Sequence, residues 1–184
     1  MIQLPFRRPT QNPIVAALYG MIVAQARSPI FYRGYGVPDT VAGRFDMIVL
    51  HLVLFLQRLK SETPALQTLG QEVFNLFCRD IDDNFREMGM GDLAVPREMR
   101  KVGEAFYGRA AAYETALAIE DASLAGALTR NIFGGSSDGA PRLATYMREA
   151  VRQLATQHDF SGGVVRFADP EKIAPAHLEE SQRT

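Results

Sequence analysis

An acidic cluster near the middle of the chain contains the residue types that could bind a metal ion. Asp80, Asp82 and Asp83 form a D-x-D-D run, and Glu87 follows one helical turn after Asp83. Carboxylate oxygens are the ligands that Mg²⁺ prefers, and a metal-dependent enzyme would use them. On a helix, however, Asp82 points away from the face that the other three share, and the sequence has no matching second cluster. A solvated or partner-facing acidic surface is the favoured interpretation, with a metal-dependent enzyme as the alternative.

His51 lies within the longest apolar run, residues 47–56, where burial disfavours a charged ring. We expect a core histidine bonded to a neighbouring group, and a haem ligand is the alternative. Cys78 is the single cysteine, which excludes a disulfide within the chain and agrees with a reducing compartment. The sequence has no nucleophile motif and no phosphate-binding glycine loop. We therefore predict no catalytic residues, no metal and no cofactor.

The charges nearly balance, with 20 basic and 21 acidic side chains, which argues against a general nucleic-acid binder. Their distribution is uneven, because residues 1–60 contain seven basic and two acidic side chains, whereas residues 61–95 contain two basic and seven acidic. A basic N-terminal face would suit anionic lipid headgroups or ribosomal RNA. Ordinary solvated charge is the favoured interpretation.

The elements that must position these residues are all predicted to be helices, because the apolar residues recur every three or four positions. Asparagine, proline and glycine mark their ends. The predicted helices are 13–27, 40–60, 64–88, one of about six turns from 96, 121–132, and one from 141. The second is apolar nearly all round, which places it at the centre, with Asp39 as its predicted cap. The fold class is all-α: a compact single-domain bundle of about six helices.

The helical pattern ends after Phe160, which divides the chain into a helical domain, 1–160, and an irregular C-terminal tail, 161–184. The tail either lies on the body or moves freely. The first residues, MIQLPFRRPTQ, lack the order of a secretory signal, so we expect the protein to stay where it is made. The apolar run at 47–56 is far shorter than the ~20 residues that cross a bilayer, and we predict a core helix there.

Three aromatic residues, Phe31, Tyr32 and Tyr35, lie in a glycine- and proline-rich loop between the first two predicted helices. Each side chain has a large apolar area, and tyrosine adds a hydroxyl group. Two interpretations stay open: the rings fill the corner between the helices, or they contact a binding partner.

Arg44 and Arg109 each stand close to aromatic residues in the sequence. The favoured interpretation pairs each arginine with an acid such as Asp39 or Asp46, which would hold the loop in place. Direct contact with a partner is the alternative for both arginines.

The same segments resemble a known family. In the first block the matching residues are Tyr19, Gln25, Ala26, Arg27, Phe31, Tyr32, residues 36–40, Arg44, Phe45 and His51. In the second block they are residues 106–109, Ala112 and Tyr113. This order of residue types, from about Leu18 to Asp121, is similar to the ubiquinol-cytochrome c chaperone family.

The resemblance implies a non-enzymatic assembly factor that binds newly synthesised cytochrome b and guides it into ubiquinol-cytochrome c reductase, respiratory complex III. The residues expected to contact this client are Phe31, Tyr32, Tyr35, Arg44, Tyr107 and Arg109. Mitochondrial relatives act with a partner subunit at the ribosomal exit, so a partner subunit, the ribosome and the inner-membrane surface are candidate partners. We expect a bacterial cytoplasmic protein working near the inner membrane. A lipid-surface helical module without a client is a further alternative.

Overall fold

The computed structural model describes residues 12–119, 122–135 and 139–173, and within these ranges all regular secondary structure is helical. Six long helices and two short ones follow in order: α1 (Pro13–Ala26), α2 (Pro29–Arg33), α3 (Val41–Leu59), α4 (Pro64–Glu87), α5 (Val95–Leu117), α6 (Ala122–Asn131), α7 (Gly139–Ala155) and α8 (Pro170–Ile173). The all-α bundle expected from the sequence is confirmed.

The central position predicted for the second long helix, α3, is also confirmed. This helix packs against α1, α4, α5 and α7. Every residue from 46 to 55 is buried, because a helix that is apolar nearly all round has no face that prefers water. Gly70 of α4 allows a close approach to α3, since a Cβ there would lie 3.3 Å from Leu56 Cδ2 and from Leu59 Cδ1.

The helix starts follow the signals in the sequence. Asn12 Oδ1 accepts a hydrogen bond from the Ile14 N–H at 3.1 Å, and Pro13 occupies the first helical position. The segment after α1 differs from the expected loop, because Pro29–Arg33 forms the short helix α2. A proline with its φ preset for a helix opens α2, just as one opens α1.

The N-terminal cap of α3 is Thr40, so the prediction of Asp39 was wrong. Thr40 Oγ1 accepts from the Gly43 N–H at 3.1 Å. Asp39 lies one residue too early, and its carboxylate accepts instead from Arg44 Nε at 2.7 Å. Gly43 makes room for this turn, because a Cβ at that position would overlap the carbonyl oxygen of Pro38.

We expect Thr40→Ala to lower the free energy of unfolding by about 1 kcal/mol, because the Gly43 N–H loses its acceptor. Asp39→Ala is the control and should cost less, since it removes only an exposed ion pair. Urea denaturation of both variants measures the difference. A larger loss of unfolding free energy in Asp39→Ala than in Thr40→Ala would indicate that Asp39 is the cap.

The predicted tail lies on the helical body as far as residue 173, and residues 174–184 lie outside the described residues. Val165 and Ala168 are buried in the common core. Gln25 Nε2 donates to the Ala168 carbonyl at 3.1 Å, and the Tyr35 hydroxyl donates to the Pro170 carbonyl at 2.7 Å. This part of the chain therefore closes one side of the bundle, whereas the domain division at residue 160 stays a prediction.

One described segment, Pro13–Arg33, is long and apolar enough to cross a membrane by length and composition alone. A buried core helix meets the same criteria. Leu18 and Ile22 of this segment are fully buried against the bundle, so in this fold it contributes to the core.

Candidate functional site: a groove between three helices

A buried polar network surrounds His51, which has no exposed surface. His51 Nδ1–H donates to the Met47 carbonyl at 2.8 Å, and Nε2 accepts from the Tyr146 hydroxyl at 2.7 Å. The Tyr146 oxygen accepts in turn from Gln25 Nε2 at 3.0 Å. Burial lowers the pKa of His51 to about 4, so the ring is neutral. The core-histidine prediction is confirmed, and the haem-ligand alternative fails because both ring nitrogens are already bonded.

Phe31 and Tyr35 lie in the interior and have no exposed surface. The Phe31 ring centroid lies 5.3 Å from that of Tyr35 and 4.8 Å from that of Tyr146. These contacts fit the interpretation that the rings fill the corner between helices. The expectation that Phe31 and Tyr35 contact a client is corrected, because a fully buried side chain has no surface to offer one.

Tyr32 and Arg44 form a partly exposed cluster with Asp39. The Tyr32 hydroxyl donates to the Ala26 carbonyl at 2.8 Å, and the Arg44 guanidinium lies 5.6 Å from the centre of the Tyr32 ring. The Arg44–Asp39 ion pair confirms the favoured interpretation of Arg44, and its hydrogen bond lowers the pKa of the Asp39 carboxyl. Contact of this cluster with a client stays a prediction.

Arg109 forms a buried ion pair across the α3–α5 interface. Its Nη2 lies 2.7 Å from Asp46 Oδ1, which confirms that Arg109 pairs with an acid. Burial raises the pKa of Asp46 to about 6, although Arg109 acts in the opposite direction. Arg109 Nε and the Tyr113 hydroxyl are buried with no hydrogen-bond partner among the described residues. Arg109 thus joins the two helices, and little of its side chain is exposed to a client.

The acidic residues of α4 do not converge on a common point. Asp80 Oδ2 accepts from the Tyr19 hydroxyl at 2.8 Å, and Asp82 Oδ2 accepts from Arg86 Nε at 2.7 Å. Among residues 12–119, 122–135 and 139–173, no three histidine, cysteine or acidic side chains are placed to hold a metal. The metal-dependent alternative therefore finds no assembled ligand set in the part of the chain that the structure describes.

An open groove of about 380 Å³ lies between α3, α4 and α5, and Tyr107 is the one predicted client-binding residue that lines it. Tyr107 is 64% exposed, whereas Phe106 beside it is buried. The Phe106 ring centroid lies 4.9 Å from that of Phe74 and 5.5 Å from that of Tyr107. The remaining apolar lining residues are Val53, Leu56, Leu59, Gly70 and Ala110. The groove thus offers aromatic and aliphatic surface to an apolar partner.

The polar residues of the groove carry one positive and one negative charge. Lys60 Nζ of α3 lies 2.6 Å from Glu114 Oε1 of α5, and both side chains are more than half exposed. Gln57, Gln67 and Gln71 supply uncharged amides. The groove therefore has no net charge, and most of its polar side chains are uncharged amides.

The family model described as Ubiquinol-cytochrome C chaperone matches residues 33–165, well over half of the chain. The chain belongs to this family. The matched range contains all three helices of the groove as well as the Arg109–Asp46 pair. The resemblance inferred from residues 18–121 is confirmed, and the match extends it toward the C-terminus.

The chain is also similar to curated proteins and to a chain in a solved structure. The chain is 40% identical to the chain in the crystal structure of the Cbp3 homolog from Brucella abortus, with a TM-score of 0.80 over 88% of this chain and 92% of that one. It is 27% identical to ubiquinol-cytochrome-c reductase complex assembly factor 1 of Xenopus laevis, over 84% of this chain and 80% of the relative. The mitochondrial protein CBP3 of Saccharomyces cerevisiae is 26% identical over 82% of this chain, and the matched region covers 49% of the length of CBP3.

Sequence reasoning missed most of the groove in this family member. Among the groove residues, the sequence predicts a client-binding role for Tyr107 alone, because Tyr107 lies in the family block 106–109. Two signals pointed to the rest. Phe106 and Tyr107 are about 100° apart on a helix, so one ring can be buried while the other stays exposed. The apolar helix α3 also needs cover on every side, and α4 and α5 leave part of it open.

Proposed function

We propose that this protein is a non-enzymatic assembly chaperone of ubiquinol-cytochrome c reductase whose client is newly synthesised cytochrome b. The family membership and the names of the curated relatives support the assembly role. The observation that carries the proposal for this chain is the mainly apolar groove without net charge between α3, α4 and α5.

The groove has the chemistry that an unassembled membrane protein needs. Before its helices pack, such a client exposes apolar side chains that water does not solvate well. Phe74, Phe106 and Tyr107 supply rigid aromatic surface, and aromatic residues are enriched among the side chains that dominate binding energy. Tyr107 is the most exposed of the three and is our proposed anchor for the client.

The proposed place of action is the bacterial cytoplasm, at the inner membrane where the client is inserted. A partner subunit and the ribosome stay candidate partners. The lipid-surface alternative predicts a different behaviour: binding to vesicles of anionic lipid, with no dependence on cytochrome b.

Deletion of the gene should lower the amount of membrane cytochrome b and the activity of ubiquinol-cytochrome c reductase. Succinate dehydrogenase activity should stay unchanged, because that enzyme does not contain cytochrome b. Tyr107→Glu should fail to restore cytochrome b, since a carboxylate at the groove would have to be desolvated on client binding. Loss of an anchor of this kind costs about 2 kcal/mol or more, roughly a thirtyfold loss of affinity.

Val164→Glu is the matched control, because Val164 is also an exposed apolar residue but lies outside the groove. It should restore cytochrome b fully. A photo-crosslinking residue at position 107 should likewise capture nascent cytochrome b more strongly than one at position 164. A deletion strain with normal cytochrome b would rule out the proposed function, and equal behaviour of the two glutamate variants would rule out the groove as the client site.

A further inference from the structure

Beyond the groove, α4 and α5 continue as a two-helix hairpin, residues 78–105. Of these residues, all of which the structure describes, only Val95 is buried. An apolar face of a helix is covered only where other elements pack on it, and two helices alone cannot cover the line along which they meet on every side. The apolar side chains between α4 and α5 therefore keep part of their surface in contact with water along this hairpin.

These apolar side chains continue the lining of the groove. On α4 and its C-terminal cap, four apolar residues follow Phe74 at the spacing of one helix face: Cys78, Ile81, Phe85 and Met88. On α5, three uncharged residues precede Tyr107 at the same spacing: Gly103, Met99 and Pro96. The ring centroids of Phe74 and Tyr107 lie 6.2 Å apart, so the two rows start side by side. We call the two rows, with Phe74 and Tyr107, the apolar stripe.

The apolar stripe is accessible along its length. Each of its seven residues beyond the groove is half-buried or exposed. A Cβ at Gly103 would meet no atom within 4 Å, so the surface beside this glycine is uncovered. Met88, at the far end, is 70% exposed. Arg86 holds the turn beside it, with ion pairs of 2.7 Å to Asp82 and 2.6 Å to Asp92. The far end is thus an ordered apolar surface that a partner can reach.

The length of this surface matches one membrane-spanning helix. The groove and the apolar stripe together follow α4 from Gln67 to Met88, which is about 32 Å at about 1.5 Å per residue. The hydrocarbon core of a bilayer is about 30 Å thick, and a helix of about 20 residues crosses it. The groove alone would contact less than the full length of such a helix.

The charges around the apolar stripe distinguish between possible partners. Residues 78–105 contain five basic and seven acidic side chains. A negative balance disfavours anionic lipid headgroups and nucleic acid. It suits a membrane protein, because lysine and arginine are enriched at the cytoplasmic ends of membrane helices.

We propose that the groove and the apolar stripe form one docking track, which accepts a whole unpacked transmembrane helix of the client along the α4–α5 hairpin. Tyr107 contacts the part of that helix that lies in the groove, and Phe85 and Met88 contact its far end. Two further methionines, Met90 and Met99, lie in the hairpin, and flexible thioether side chains adapt to varied apolar partners. This inference rests on the proposed function, since it assigns the occupant of the same site.

Two synthetic peptides test the length of the track. Each is a water-soluble amphipathic helix with a leucine stripe, equal numbers of lysine and glutamate on the polar face, and lactam bridges that hold it helical. One has about 10 residues and spans about 15 Å, and the other has about 20 residues and spans about 30 Å. Both carry a tryptophan on the polar face. The protein contains no tryptophan, so the fluorescence reports on the peptide alone.

Met88→Glu should weaken binding of the longer peptide to the full chain about tenfold, because a carboxylate at the end of the track would have to lose water. The affinity of the shorter peptide should change less than about twofold, since that peptide fits within the groove. Tyr107→Glu should weaken both peptides, because both occupy the groove. Val164→Glu is the matched control, which introduces the same charge at an exposed apolar residue outside the track and should change neither affinity.

The outcomes separate this inference from the proposed function. An unchanged affinity of the longer peptide in Met88→Glu would overturn the track while leaving the groove as the client site. An equal loss for both peptides in Met88→Glu would also overturn it, because the effect would not depend on length. Binding to phosphatidylglycerol vesicles that Met88→Glu abolished would assign the hairpin to lipid and overturn the proposal. If Tyr107→Glu changed neither affinity, the groove itself would fail as the client site.

Discussion

Arg109→Leu is expected to lower the free energy of unfolding by about 3–5 kcal/mol, because it leaves the Asp46 carboxylate buried without its counter-charge. Chemical denaturation at pH 7 measures this loss. The double variant Asp46→Asn/Arg109→Leu should recover a large part of it, since the uncompensated charge is then gone.

Arg44→Leu is the matched control for this prediction, because it breaks an ion pair that is more than half exposed. Its loss of stability should be much smaller, since water solvates the charges of an exposed pair. Similar losses in Arg109→Leu and Arg44→Leu would show that burial does not distinguish the two pairs.

The same pair produces a pH dependence with a defined sign. The pKa of Asp46 is raised to about 6 in the folded chain, from its ordinary value of 3.8. The folded state therefore binds a proton on the Asp46 carboxyl more readily than the unfolded state does. The stability that this proton binding contributes is fully present below about pH 4 and is lost as the pH rises through 6. The cost of Arg109→Leu should accordingly be largest at neutral pH and shrink at pH 5. A cost that grew on acidification would contradict this assignment.

Leu52→Ala is expected to lower the free energy of unfolding by about 2–5 kcal/mol, because Leu52 is fully buried in the middle of the central helix. Removing its side-chain atoms leaves a cavity that surrounding helices on several sides can fill only in part. The melting temperature and the urea midpoint should both fall.

Leu93→Ala is the matched control, since Leu93 is 97% exposed on the turn between α4 and α5. Its effect should stay within about 0.5 kcal/mol, as for other surface substitutions. If Leu52→Ala melted at the temperature of Leu93→Ala, α3 could not be the centre of the bundle.

Most of the helices could be predicted from the sequence because their signals are local. A proline fixes φ at a helix start whatever the rest of the chain does, and periodic apolar residues mark the buried face. The predicted helix at 40–60 thus agrees with Val41–Leu59. Local signals failed at the start of α3, where Asp39 and Thr40 are adjacent candidates for the cap. Thr40 Oγ1 accepts from the Gly43 N–H, and Asp39, one residue earlier, bonds to Arg44 instead.

The candidate site was less predictable than the fold, because burial depends on residues that are distant in the sequence. Phe31 and Tyr35 have the composition of a binding loop, yet Tyr146 and Pro170, more than 100 positions later, cover them. Tyr107 follows the buried Phe106 directly and remains exposed. The sequence does not show which aromatic rings the later helices will cover.

The sequence by itself determined the helical class, the central helix, the core histidine and the family, since each depends on residue types in a fixed order. The tertiary structure alone decided where an apolar partner can bind. The groove exists because α3, α4 and α5 meet without filling the space between them. That space depends on distances between helices, and the order of residues along the chain does not contain those distances.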